Sequence, residues 1–264
     1  MDPAKVCLFI PPELRKTKLA LFERIGAGIQ RHGGRVVRTD VAALAALPDD
    51  IIPIIGCSPQ LRPLIDDWIL RKRNYIYWDR GYFFRVYATW LPRGENGGMY
   101  RWHQNSYQLQ ALRGEPPDRW NARKPPVQPW SRGGRHIVIA APTRTYAAFH
   151  CCESWIADTI DALARVTDRQ LVIRDKESKR PLQTDLHGAH ALVTHGSNAA
   201  VEAIICGTPT FTHPDSAAAL VGLTDLRKIE QPIYPERQPW FNALAYSQYS
   251  ENELTDGTLW KLLT

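Results

Sequence analysis

The sequence predicts an α/β protein built from two Rossmann-like halves facing each other across a cleft. Three observations carry this. Short apolar runs alternate with amphipathic stretches from residue 6 to about 80, the spacing of strand–helix–strand units. The pattern then breaks into a stretch rich in Trp, Tyr, Arg, Pro and Gly. It resumes at residue 136 and runs to about 215.

In the first half, Val6 to Ile10 reads as a buried strand and Lys18 to Arg31 as a helix, with Leu19, Phe22, Ile25 and Ile29 on one face. Gly33-Gly34 stops that helix. Strands follow at Arg35–Arg38, Ile51–Ile55 and Tyr75–Trp78, with helices at Val41–Leu47 and Pro59–Arg71 between them. Residues 80–115, punctuated by Gly97-Gly98, read as a decorated loop region, and residues 116–134, carrying Pro116-Pro117, Pro125-Pro126 and Gly133-Gly134, as a linker.

In the second half, His136–Ala141, Gln170–Arg174, Ala191–Thr194 and Thr210–Phe211 are the expected strands. Pro142–Tyr146 reads as a loop, and helices are expected at Glu153–Val166 and Ala199–Cys206, with a short turn or helix at Leu182–His187. Closing helices at Pro239–Tyr246 and Glu251–Leu262 follow, the second opened by a capping box from Ser250 to Glu253. The expected division is a first domain over 1–115, a linker over 116–134, a second domain over 135–236, and a tail over 237–264.

Composition excludes several classes. With 44% hydrophobic and 23% charged residues over 264, the chain has the make-up of a folded globular protein, not of a disordered or fibrous one. No apolar run reaches ~18 residues, and the apolar stretch near the N-terminus is too short for a signal peptide. The expectation is a cytoplasmic protein with no membrane partner, monomeric or homodimeric. Five cysteines without a C-x-x-C spacing fit reduced thiols better than a zinc site. A net charge of +6 suits a polyanionic partner such as nucleic acid or nucleotide phosphates, and Arg71-Lys72-Arg73 is the tightest basic cluster.

The most informative segment is Ala191-Leu-Val-Thr-His195-Gly196-Ser197-Asn198-Ala-Ala-Val-Glu202-Ala-Ile-Ile-Cys-Gly207-Thr-Pro209. It reads as strand, small-residue loop, helix, Gly-x-Pro, strand. Ligands of open α/β sheets bind outside the carboxyl ends of strands, and N–H groups opening a helix there favour a phosphate. An ordinary helix cap explains the same residues equally well.

This block resembles the nucleotide-sugar-binding half of GT-B glycosyltransferases and related sugar epimerases. The resemblance implies that Ser197 and Asn198 face a donor diphosphate. It implies that Glu202 faces a ribose or packs at the helix base, and that the loop carrying Arg174 and Lys176 lies near the nucleotide base. For that loop a solvated charge cluster is the alternative. Thr143 and Arg144, after the strand at 136–141, join His195 and Gly196 as donor contacts, Arg being suited to bidentate phosphate binding. The C-terminal pattern Trp240-x-x-x-Leu244-Ala245-Tyr246-Ser247-Gln248-Tyr249, ending in Trp260, is similar to proteins of tailed phages, several of which resemble glycosyltransferases acting on DNA with hydroxymethylated pyrimidines. The closing helices would then pack back onto the first half.

Asp79, directly after a strand in Tyr75-Ile-Tyr-Trp-Asp79-Arg80-Gly81-Tyr82-Phe83, is placed to take a proton from an acceptor hydroxyl; alternatively it pairs with Arg80 or Arg85 or caps the next turn. Asp-x-Gly-Tyr-Phe also resembles capsule-type and phage glycosyltransferase-like sequences. Tyr100-Arg101-Trp102-His103-Gln104-Asn105-Ser106-Tyr107 interleaves aromatics with polar groups and reads as a loop that stacks bases or sugars, with His103 as an alternative base; a structural loop is the other reading.

The expected activity is metal-independent transfer of a hexose from a nucleotide sugar, a UDP-sugar being the first choice, with no further cofactor. The favoured acceptor is 5-hydroxymethylpyrimidine in phage DNA, contacted by Arg71, Lys72, Arg73, Arg80, Tyr82, Arg101 and Asn105. A glycan or lipid-linked acceptor, an epimerase-like enzyme, and a non-enzymatic DNA-binding module are the alternatives. No Asp-x-Asp or Walker A motif is present, and Gly26-Ala-Gly28 lies too late in its helix to be a dinucleotide fingerprint.

Overall fold

The computed structural model describes residues 1–11, 16–38, 41–83, 98–178 and 180–263. In chain order these form β1 (Val6–Ile10), α1 (Lys16–Arg31), β2 (Arg35–Arg38), α2 (Val41–Ala45), β3 (Ile52–Ile55), α3 (Arg62–Leu70), β4 (Ile76–Arg80) and β5 (Met99–Gln104). There follow α4 (Asp118–Arg123), β6 (His136–Ala140), α5 (Arg144–His150), α6 (Trp155–Ala164), β7 (Gln170–Arg174), α7 (Leu182–Leu186), β8 (Ala189–Thr194), α8 (Ala199–Ile205), β9 (Thr210–Thr212) and α9 (Gln238–Tyr246). The chain closes with β10 (Gln248–Ser250), α10 (Glu251–Thr255) and α11 (Thr258–Leu262). The described residues divide into two compact units, 1–107 with 247–263 in the first, and 108–246 in the second.

Unit 1 is a six-stranded sheet in the order β10-β5-β4-β3-β1-β2. β1 to β4 run parallel, β5 pairs antiparallel with β4, and β10 pairs antiparallel with β5 and so runs in the direction of β1 to β4. β1 is buried along its whole length, as its unbroken apolar run requires of a central parallel strand. Leu8, Ile54, Ile76 and Trp78 pack with Ile25 and Ile29 of α1 and with Leu254, Leu259 and Trp260 of the last two helices. The Gly26-Ala-Gly28 pair has a packing role: a Cβ on Gly28 would lie 2.6 Å from the Thr255 Cα, so the glycine lets α10 rest directly on α1.

Unit 1 departs from the sequence reading at β5. The stretch expected as a stacking loop is a strand between β4 and β10. Tyr100 and Trp102 join the hydrophobic core, while Arg101 and His103 alternate with them along the strand. Residues 84–97 of the expected loop region lie outside the described residues.

Unit 2 is a four-stranded, wholly parallel sheet in the order β7-β6-β8-β9. Ile137, Ile139, Ala191, Val193 and Phe211 form its core with Leu163 and Ile229. Strand order reverses at β6, which has β7 on one side and β8 on the other, so the ends of β6 and β8 frame the position where open sheets take ligands.

The unit boundaries also differ from expectation. The segment expected as a linker contains α4 and belongs to unit 2. There Trp120 stacks on Phe241 of α9 at 4.3 Å and Tyr246 Oη donates to Asp118. Of the tail, only 247–263 joins unit 1. The expected loop at 142–146 opens helix α5, and the last expected helix is broken in two at Gly257, which has φ +91°.

Candidate active site

In unit 2 three loops leave the carboxyl ends of β6, β8 and β9. The first begins α5. Thr143 is its cap, its Oγ1 accepting from Tyr146 N–H at 3.2 Å, and Thr143, Arg144 and Thr145 are exposed. The second is His195-Gly196-Ser197-Asn198. Ser197 Oγ accepts from Ala199 N–H at 3.2 Å, so Ser197 acts locally as a turn residue; Ser197 and Asn198 are both half-buried. Glu202 is buried within α8.

His195 organises the cluster. Its ring is buried and stacks on His213, the first residue beyond β9, with centroids 4.4 Å apart and planes 11° apart. His213 N–H donates to the His195 carbonyl at 3.0 Å. Tyr146 Oη lies 3.2 Å from His195 Nδ1, and Tyr146 in turn packs on His150 at 4.1 Å. Burial, and next the neighbouring His213, push the His195 imidazole down to about 4. It is therefore neutral near pH 7 and offers one donor and one acceptor rather than a charge.

The β7 loop is held by internal bonds. Arg174 Nη1 meets Asp185 at 2.6 Å and its Nη2 donates to the Arg180 carbonyl, while Arg180 also pairs with the buried Asp185. Lys176 sits in an exposed turn that the Asp175 carboxylate organises by accepting from Glu177 and Ser178 N–H. Arg174 thus pairs with a buried carboxylate, whereas Lys176 is exposed.

In unit 1, Asp79 is the penultimate residue of β4, at its carboxyl end. Its Oδ2 accepts from Arg101 Nη2 at 3.0 Å and its Oδ1 from Arg80 N–H at 2.8 Å, and the side chain keeps 37% exposure. The ion-pair partner is Arg101 across the antiparallel β4–β5 register. Arg101 is 4% exposed and lies over the Tyr82 ring at 5.4 Å, and Tyr82 Oη meets His103 Nε2 at 2.7 Å. Asp79, Arg101, Tyr82 and His103 are thus brought together.

Arg71, Lys72, Arg73, Arg80 and Asn105 lie in unit 1 as well. Asn105 turns the chain at φ +57°, its Oδ1 accepting from Tyr75 N–H at 2.9 Å. Arg73 caps the carbonyls of Leu47, Pro48 and Ile51. Arg71 pairs with Asp67 at 2.9 Å, Lys72 occupies a left-handed turn, and Arg80 reaches Tyr100 Oη at 3.3 Å. Tyr146, His150, His213 and Gln108 went unseen in the sequence; the end-of-strand signal that flags Asp79 and His195 applies equally to His213. Among the described residues no three His, Cys, Asp or Glu side chains gather as a metal site, and no helix is long and apolar enough to cross a membrane.

No protein-family model matches the chain, and no curated protein is similar to it in sequence. Two solved structures from Thermosulfurimonas dismutans are similar in fold. One is KpsC, beta Kdo 2,4 transferase, with a TM-score of 0.51 and 11% identity over 93% of this chain and 91% of that one. The other is KpsC, beta Kdo 2,7 transferase, with a TM-score of 0.53 and 10% identity over 98% of each chain. The fold is GT-B-like. Neither of these two structures extends the phage-type DNA resemblance.

Proposed function

We propose that this chain is a glycosyltransferase that moves a sugar from a nucleotide-sugar donor to a hydroxyl acceptor. The observation that carries the reading is the set of polar loops at the carboxyl ends of β6, β8 and β9, in a fold similar over more than nine tenths of each chain to two sugar transferases. Fold alone does not fix chemistry, so the residues must supply the argument. Arg144, Ser197 and Asn198 are the phosphate-facing groups of the donor site, with neutral His195 as a hydrogen-bonding wall. Charge growing on the departing phosphate is met by Arg144 and fixed dipoles rather than by a metal ion.

Asp79 is the proposed base. Arg101 and the Arg80 N–H fix its carboxylate, and the exposed remainder receives the acceptor proton as the acceptor oxygen bonds to the anomeric carbon and the bond to phosphate breaks. His103 is the weaker choice, because it is 8% exposed and already engaged by Tyr82.

The structural neighbours are named for transfer of Kdo, an acidic sugar, and an acidic sugar suits a protein of net charge +6. A sugar hydroxyl on a glycan or lipid-linked chain is the better acceptor. The DNA acceptor drew on the phage-type resemblance, on the net charge and Arg71 to Arg73, and on a stacking loop at 100–107, and of these the last loses support because 99–104 is a buried strand.

The test is a thermal-shift panel of UDP-, GDP-, ADP- and CMP-activated sugars, CMP-Kdo among them, followed by turnover on glycan and hydroxymethylated-DNA acceptors. A ligand at 100 times its Kd adds about 2.7 kcal/mol of stability. One nucleotide raising Tm supports the donor site and names its base. No shift with any donor, together with a salt-sensitive shift by DNA, replaces the transferase with a DNA-binding module.

A further inference from the structure

Gln108 is the first described residue of unit 2 and is 4% exposed. Both ends of its amide are used. Nε2 donates to the Gly196 carbonyl at 2.7 Å, and Oε1 accepts from Ala217 N–H at 3.0 Å. Gly196 lies in the loop leaving β8, and Ala217 opens the helical turn after the loop leaving β9. One planar side chain therefore spans both loops. Its orientation is fixed by its partners, since only the NH2 end can meet a carbonyl and only the oxygen can meet an N–H. A buried amide is costly unless both ends are satisfied, so this geometry resists drift.

The surroundings tighten the same bridge. A Cβ on Gly196 would lie 2.4 Å from Tyr146 Oη and 3.0 Å from Gln108 Nε2, so the loop is closed on both sides. Trp240 Nε1 donates to the Ala217 carbonyl at 2.7 Å, and Gln110 Nε2 to the Asp215 carbonyl at 2.8 Å. His195 and His213 are stacked between the bridged loops.

We propose that Gln108 is a positioning residue of the donor site: it sets the separation of the 195–198 and 213–217 loops and so aims Ser197 and Asn198 at the donor phosphate. It touches no substrate itself, and the proposal rests on the donor reading above. The experiment compares wild type, Gln108→Leu and Gln108→Glu with Ser250→Ala, a control that loses a helix cap in unit 1 and has no bond to either loop. Gln108→Glu keeps the acceptor for Ala217 and places an oxygen against the Gly196 carbonyl.

Both Gln108 variants are expected to raise the donor KM at least tenfold, with acceptor KM and saturated kcat within twofold of wild type, while Ser250→Ala leaves donor KM unchanged. A folded Gln108 variant with wild-type donor KM, or an equal rise in Ser250→Ala, overturns the proposal. So does failure of both Gln108 variants to fold while the control folds, which makes Gln108 a residue of the fold alone. A wild type that binds no activated sugar is a different result: it removes the donor reading, and this proposal with it.

Discussion

Asp79 and Arg101 meet because the register of β4 and β5 sets them opposite each other, although 22 positions separate them in the chain. Asp79→Asn keeps the size of the side chain and removes its basicity. Turnover is expected to fall about 10²–10⁴-fold, the ordinary contribution of a positioned base, with donor affinity unchanged; steady-state kinetics beside a donor titration separate the two. His195 makes a prediction of opposite flavour. Its folded pKa of about 4 lies below the usual value of 6.5, so the unfolded chain takes up a proton that the folded chain refuses. Its contribution is fully present above about pH 6.5 and is lost as pH falls toward 4, by at most about 3 kcal/mol. Tm measured from pH 7 to 4 should fall less steeply in His195→Gln than in wild type. At this scale Asp79 and His195 could be picked out because Asp79 lies at the carboxyl end of an apolar strand and His195 directly after one. Tyr146, His150 and Gln108 were not, because their roles depend on partners 45 to 109 positions away.

Apolar strands with period-one burial, such as β1, β6 and β8, announced themselves by composition. β5 did not. Its sequence Met-Tyr-Arg-Trp-His-Gln carries an alternation of aromatic and basic residues, and alternation is the signature of a strand. The signal was hidden because the second face is polar and satisfied by Asp79 and Tyr82 rather than solvated. α5 was missed for a related reason: Pro142-Thr143 marks a loop and also caps the helix that follows. Gly207 ends α8 at φ +78°, and a Cβ there would sit 1.9 Å from the Pro129 carbonyl oxygen. Gly207→Ala combines backbone strain with a clash against main chain and is expected to cost about 3 kcal/mol, read as a Tm drop of roughly 6–12 °C. Ser250→Ala, which removes one half of a capping box, should cost only about 1 kcal/mol.

Across the whole molecule, the sequence divided the chain by its Pro- and Gly-rich stretch, and the contacts divide it at 107 and 246. Punctuation in a sequence marks where the backbone turns, whereas a unit is defined by what it buries, and Trp120 of the supposed linker is buried against α9. The closing segment shows the same thing in reverse. β10 pairs with β5, and Leu254, Leu259 and Trp260 fill the core of unit 1. Removing residues 247–264 takes those side chains away, uncovers Ile25, Ile29, Trp78 and Trp102 of the same core, and leaves β5 as an edge strand. The expected result is loss of protection from hydrogen exchange throughout β1 to β5, with β6 to β9 keeping theirs. The interrupted path of unit 1 also orders events on the ribosome. Domains ordinarily fold in the order they are made, but here the sheet of unit 1 must wait, incomplete, while residues 108–246 are synthesised, and it closes only when residues 247–263 have left the exit tunnel. Nascent β1 to β5 therefore present a hydrophobic face for longer than any other part of the chain, and a chaperone that samples emerging polypeptide would find its binding site there.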